Sequence, residues 1–141
     1  MTNGAPRWLF WVGAFLVLWN MFGVYAFISE RMMTPADLAA LPKDQQLLWS
    51  QMPGWGWAGY GVATLGGLAG AFGIVLKKRW ATIVTLLSIA GIIVNFLPTF
   101  TMSTGVNVWQ PQFYALPLFI IVVALLQYAL ARTANAKGWT T

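Results

Sequence analysis

Charged residues are so placed along this chain that four long apolar stretches are left uninterrupted. The first, Trp8 to Ile28, reads WLFWVGAFLVLWNMFGVYAFI. At about 1.5 Å per residue its roughly 21 residues reach about 31 Å, the thickness of a bilayer's hydrocarbon core. A cleavable leader has a shorter apolar stretch and a small-residue cleavage site, so this segment is expected to be a retained first helix. The second stretch, Trp55 to Leu76, is rich in glycine and would make a poor helix in water. In lipid, the cost of unpaired N–H and C=O groups enforces helix all the same. Lys77, Lys78 and Arg79 follow at once, and Trp80 opens a third run that ends before Pro98. These two segments should form a tight hairpin with a basic tip. The fourth run, Phe113 to Ala131, carries Pro117 in its first or second turn, where a missing N–H costs little or bends the helix modestly.

The pattern therefore predicts one domain, 1–141, with spans over about 8–28, 55–76, 80–97 and 113–131 and a first external loop over 29–54. The fold class is an all-α membrane protein with four transmembrane helices in an antiparallel bundle. Short helices are expected in the first loop. Thr34-Pro35-Ala36-Asp37 reads as a helix start, with Thr as N-cap, Pro at the first helical position and an acid facing the exposed N–H groups. A second stretch, Pro42 to Met52, mixes Leu47, Leu48, Trp49 and Met52 with polar residues, as in a segment lying in the interface. The uncharged Pro98–Gln112 stretch reads as an ordered external loop.

Composition agrees with this solvent. Of the 141 residues 59% are apolar and 8% charged, against roughly 25% charged in a soluble domain. Nine Trp suit the headgroup level, where an indole is half buried with its N–H wet. Trp8, Trp11, Trp49, Trp55, Trp57, Trp80 and Trp109 are accordingly read as an aromatic belt.

The net charge of +5 rests on eight Lys and Arg that form no long stripe, so nucleic acid is not an expected partner. Their distribution is topological. Arg7, Lys77, Lys78, Arg79, Arg132 and Lys137 fall on one side and Arg31 and Lys43 on the other, which puts both termini on the cytoplasmic face of the membrane.

The chain contains no Cys and no His, which removes thiolate nucleophiles, the commonest metal and haem ligand and the usual neutral-pH proton shuttle. No acid or base falls inside a predicted span, where coupled carriers place one. An enzyme is not expected, and neither is a metal or a resident cofactor. Bound lipid is expected, and contact with a quinone or pigment through Trp and Phe stays open.

Several groups remain as candidates. Asn20 and Asn95, at similar predicted depth, read either as a polar pair for a solute or as ordinary interhelical hydrogen bonds; Thr64 and Gln127 are the other intramembrane polar positions. Gly59, Ala63, Gly66, Gly67, Gly70 and Gly73 form a small-residue face that lets a neighbouring helix, within the chain or from another protein, approach closely. Lys77, Lys78 and Arg79 read as an interfacial basic cluster, for topology or for anionic headgroups. Trp49, Trp55 and Trp57 around Met52-Pro53-Gly54 could form a shelf for a sugar, a quinone headgroup or a pigment.

Trp19-Asn20, Met33-Thr34-Pro35, Leu41-Pro42, Met52-Pro53-Gly54-Trp55, the Gly66–Gly70 region, Lys78-Arg79-Trp80-Ala81 and Gly138-Trp139 resemble an uncharacterised family of small four-span inner-membrane proteins of alphaproteobacteria and related lineages. Some of its members carry the label "sugar transporter". The resemblance implies fold and location and carries over no functional residues.

Packing surface without catalytic groups leads to the expectation of an accessory, assembly or stabilising subunit on a larger respiratory, photosynthetic or transport complex. The alternative is a small solute carrier or channel working as a homo-oligomer. A bundle of this size is expected to leave little interior.

Overall fold

The computed structural model describes residues 4–141 and consists, over that range, of helices joined by short loops. They are α1 (Arg7–Arg31), α2 (Pro35–Ala39), α3 (Lys43–Gln51), α4 (Gly54–Val75), α5 (Ala81–Thr101) and α6 (Pro111–Ala136). Four of them, α1, α4, α5 and α6, are long and apolar enough to cross a membrane. They run alternately up and down, so that one end of the bundle holds the Lys77–Arg79 turn (the basic end) and the other carries α2 and α3 (the loop end).

Every span is found, and α1, α5 and α6 are longer than the apolar runs alone require. α1 continues to Arg31, which places Glu30 in its last turn and not in a loop. α5 does not stop before Pro98 but runs through it to Thr101. Pro98 lies in the final turn and a half, where one lost N–H bond is tolerated; its ring is buried beside Gly56 of α4, and its carbonyl accepts from the Met102 and Ser103 amides. Pro117 sits in the second turn of a continuous α6.

The expected start of α2 is present in full: the Asp37 amide donates to Thr34 Oγ1 at 3.2 Å and the Thr34 amide donates to the Asp37 carboxylate at 2.9 Å. Those bonds hold the Asp37 carboxyl below the usual carboxylate range.

At the basic end, α4 stops in a Schellman turn. The Lys78 amide donates to the Gly73 carbonyl at 2.8 Å and the Lys77 amide to the Ile74 carbonyl at 3.0 Å, with Lys77 itself left-handed at φ 57°. α6 ends the same way around Gly138, with Trp139 N–H on the Ala134 carbonyl. The segment beyond folds back over the hairpin. Thr141 N–H donates to the Lys77 carbonyl at 2.9 Å, the Arg79 amide donates to the Thr141 carbonyl at 3.0 Å, and Asn135 Nδ2 donates to Thr82 Oγ1 at 2.9 Å. Beneath this lock lies the apolar core: Leu9 and Leu16 of α1, Ala71 and Ile74 of α4, Ala81 of α5, and Ala131 and Ala134 of α6.

α4 is the central helix and packs most closely against α5. A Cβ added at Gly91 would come within 2.6 Å of the Ala63 backbone nitrogen and 2.8 Å of the Gly59 carbonyl, and one at Gly59 within 2.8 Å of the Asn95 backbone nitrogen. The two backbones are thus in direct contact, which only small residues permit. Further along, Ser88 Oγ of α5 donates to the Ala63 carbonyl at 2.6 Å. The opposite flank of α4 receives α1, and α6 lies along α5. The predicted small-residue face is therefore turned inward, with Gly59, Ala63, Gly67, Gly70 and Gly73 buried and Gly66 against Ser88.

Unfolding in mixed detergent micelles tests this seam. Gly91→Ala is expected to cost about 2 kcal/mol, because backbone and not a yielding side chain meets the new methyl. Gly54→Ala, which meets nothing within 4 Å, should stay within about 0.5 kcal/mol of the parent. Lys77→Gly should gain about 1 kcal/mol by relieving the left-handed turn.

Candidate functional site

The half of the bundle nearer the loop end is hollow. A cavity of about 600 Å³ extends from the α2–α3 cover down to Gln127 of α6. From Asn20 to Glu30, both lining it, α1 rises ten residues, or roughly 15 Å. The expectation of little interior is therefore corrected. Its cause is visible in the packing: α4 and α5 use their small residues on each other, while α1 and α6 flank this pair and meet one another only through side chains, Trp19 on Phe119 at 5.3 Å and Asn20 on Gln127. Phe22 of α1 and Leu116 of α6 both line the cavity and are 72% and 61% exposed, so it reaches the lipid-facing surface between these two helices.

The floor is a closed polar network. Gln127, 3% exposed, donates from Nε2 to the Gly67 carbonyl at 3.0 Å and to Thr85 Oγ1 at 3.1 Å. Its Oε1 accepts from Asn20 Nδ2 at 2.9 Å, and the same nitrogen reaches the Leu16 carbonyl at 2.8 Å. Space for these groups comes from α4. A Cβ at Gly67 would collide with Asn20 Oδ1, and one at Gly70 with Thr85 Oγ1. The glycines here accommodate polar side chains as well as helix contact. Asn20 sits at the middle of α1 and makes an interhelical hydrogen bond to Gln127, and it lines the same cavity as Asn95 without bonding it. Thr64 bonds back to its own helix, on the Tyr60 and Gly61 carbonyls, and adds only its flank to the wall.

Asn95 stands apart. It is 8% exposed, lines the cavity, and among the described residues its side chain makes no hydrogen bond; Oδ1 is fully buried and unpartnered. Trp49 Nε1 of α3, another lining residue, is likewise buried without a partner. Leaving such a group unpaired costs about 1–3 kcal/mol, so each calls for an explanation beyond packing.

The mouth is aromatic. Trp57 lies parallel to Tyr60 at 6.1 Å, is met edge-on by Trp49 at 5.6 Å, and carries the Arg31 guanidinium 4.8 Å from its ring centre. Tyr60 Oη donates to Glu30 Oε1 at 3.2 Å. α3 is fastened over this end by Gln51, which donates to the Thr104 carbonyl at 2.9 Å and accepts from the Thr104 amide at 2.8 Å. The predicted Trp belt thus divides. Trp8, Trp11, Trp55, Trp80 and Trp109 are exposed as headgroup anchors would be, Trp8 also meeting Trp139 edge-on at 5.8 Å, whereas Trp49 and Trp57 wall the cavity.

Lys77, Lys78 and Arg79 lie at the far end and take no part in the cavity. Among the described residues no group of His, Cys, Asp or Glu is placed to hold a metal. Glu30 was missed as a cavity residue from sequence because its membership depends on where α1 ends; the acid two residues after Ile28 was the only available signal.

Two substitutions separate the satisfied polar group from the orphan. Gln127→Leu should destabilise by about 2 kcal/mol, since it strands Asn20 and Thr85. Asn95→Leu should be neutral or up to about 1 kcal/mol stabilising, as it replaces an unpartnered amide by an apolar group of similar size. Both are read from the same micellar unfolding titration. In comparisons with protein-family models, curated proteins and solved structures, this chain matches none of them.

Proposed function

We propose that this protein binds one small, mostly apolar molecule with a polar head inside its bundle and holds or hands on that molecule within the membrane. The supporting observation is the Asn95 carboxamide, buried and unpartnered on the wall of a cavity of about 600 Å³. Ligand sites in proteins are of this kind: some 300–1,000 Å³, largely apolar, with a few convergent polar groups. The cavity's reach to the lipid-facing surface between α1 and α6 supplies a path for a molecule dissolved in the bilayer.

This is the solute-carrier reading with the site moved from between protomers to the interior of one. Binding without bond-making fits the groups available. The Ser88 hydroxyl that lines the cavity is committed to the Ala63 carbonyl, and Glu30 accepts the Tyr60 hydroxyl. The accessory-subunit reading would have to use the exposed apolar faces of the four long helices, because the glycine face is spent inside. By the distribution of Lys and Arg, the basic end faces the cytoplasm of a bacterial inner membrane and the cavity lies toward the outer leaflet.

Mass spectrometry of protein released intact from its native membrane, followed by organic extraction, should recover a neutral lipid-phase compound in near-stoichiometric amount. Ala124→Phe, which fills the cavity from α6, should abolish that recovery while leaving the protein folded. Equal recovery from parent and variant would sink the proposal.

A further inference from the structure

Two helices end at the basic end in the same kind of turn, made with different residues. α6 places Gly138 in the left-handed position, at φ 72°, whereas α4 places Lys77 there at φ 57°. Glycine takes that conformation without strain and lysine does not. Topology alone does not ask for a base at this position, because Lys78 and Arg79 follow it immediately. The Lys77 amide is engaged on the Ile74 carbonyl and its own carbonyl accepts from the Thr141 amide, so what lysine adds over glycine is its side chain.

That side chain lines an open cleft of about 230 Å³ together with Arg7, Phe10 and Trp11 of α1 and the Ala5–Pro6 segment before it. α1 is held against this end of α4, where a Cβ on Gly13 would come within 2.9 Å of the Val75 side chain. Among the described residues neither Arg7 nor Lys77 has an ion-pair partner, and no Asp or Glu lies nearby, since Glu30, Asp37 and Asp44 all belong to the loop end. Lys137, by contrast, is held over the Trp139 ring at 5.1 Å. The cleft is also graded in depth. Trp11 follows Arg7 by four residues, about 6 Å further along α1; it is 70% exposed, with Phe10 edge-on to it at 5.3 Å. Two cations at one level and an exposed aromatic surface one turn deeper match the phosphate of a lipid above its glycerol and acyl chains. With both cations uncompensated, the headgroup that fits carries no ammonium of its own.

We propose that this cleft is a binding site for one anionic glycerophospholipid, its phosphodiester taken by the Arg7 guanidinium and the Lys77 ammonium and its chains lying over Phe10 and Trp11. The lipid ties the start of α1 to the α4–α5 turn. The site lies at the opposite end of the bundle from the cavity and is independent of what the cavity holds.

The test is native mass spectrometry of the protein released into mild detergent from nanodiscs of phosphatidylglycerol and phosphatidylcholine in equal amounts, with bound lipids counted and then titrated back. The parent should retain one phosphatidylglycerol in preference to phosphatidylcholine. Arg7→Gln and Lys77→Gly should each weaken that lipid about fivefold, the value of one basic residue near an anionic headgroup. Lys78→Gln and Arg132→Gln remove the same charge from the same end but outside the cleft, and should change its affinity by less than about twofold. Because Lys77→Gly relieves the left-handed turn, it should fold at least as firmly as the parent, and lipid lost from it cannot be put down to lost structure. An equal loss in all four variants, or equal retention of both lipids by the parent, overturns the site and leaves only diffuse attraction. Displacement of the lipid by millimolar inorganic phosphate assigns the cleft to a soluble anion and overturns it as well.

Discussion

Direct backbone contact between α4 and α5 governs the rest of this bundle. Lipid gives two helices no hydrophobic reason to associate, so their cohesion comes from close van der Waals approach and from hydrogen bonds shielded from water. Gly59, Ala63 and Gly91 provide the approach, and Ser88 on the Ala63 carbonyl provides such a bond. Once these small residues face one another, α4 and α5 form a spine, and α1 and α6 must attach to its flanks. Near the basic end the flanking helices still meet over Leu9, Leu16, Ala131 and Ala134. Toward the loop end α1 and α6 stand apart, and the cavity, lined by Ala26 of α1 and Ala124 of α6, occupies that interval.

The polar residues within the bundle fall into two populations with different physical meaning. Asn20, Thr85 and Gln127 satisfy one another and the Gly67 carbonyl, and they orient α1, α5 and α6 about α4. Their energetic return is cohesion. Asn95, farther along the buried side of α5, returns none, since its Oδ1 is buried and unpaired among the described residues. A protein selected for stability alone would place leucine there. The two amides in one bundle differ in that Gln127 holds helices together and Asn95 holds none.

Much of the fold was legible because lipid makes the sequence code coarse. Uncharged runs of about twenty residues and a basic turn leave one arrangement of spans, and the Thr34–Asp37 capping box is a purely local signal. Less could be read about the site. Hydropathy does not state how a helix is rotated about its axis, so depth alone did not tell that Asn20 bonds Gln127 across the bundle while the Asn95 side chain bonds nothing among the described residues. Glu30 and Pro98 were placed outside helices because apolarity ends before the helix does, and backbone hydrogen bonding carries α1 to Arg31 and α5 to Thr101. The hollow itself is a property of three interfaces taken together. It follows from α4 and α5 meeting backbone to backbone and from α1 and α6 meeting through side chains, neither of which one segment's sequence contains.

The apolar core and the Thr141 clasp are gathered at the basic end, whereas the loop end is held by aromatic edges and by the Gln51–Thr104 pair. Local stability should therefore be graded along the bundle axis, as in proteins whose cooperative units open separately. Amides near the loop end would exchange with solvent through partial opening, and those near the Lys77 turn only through global unfolding. A molecule held between α1 and α6 could then come and go by movement of the hollow half alone, with the basic end serving as a fixed hinge.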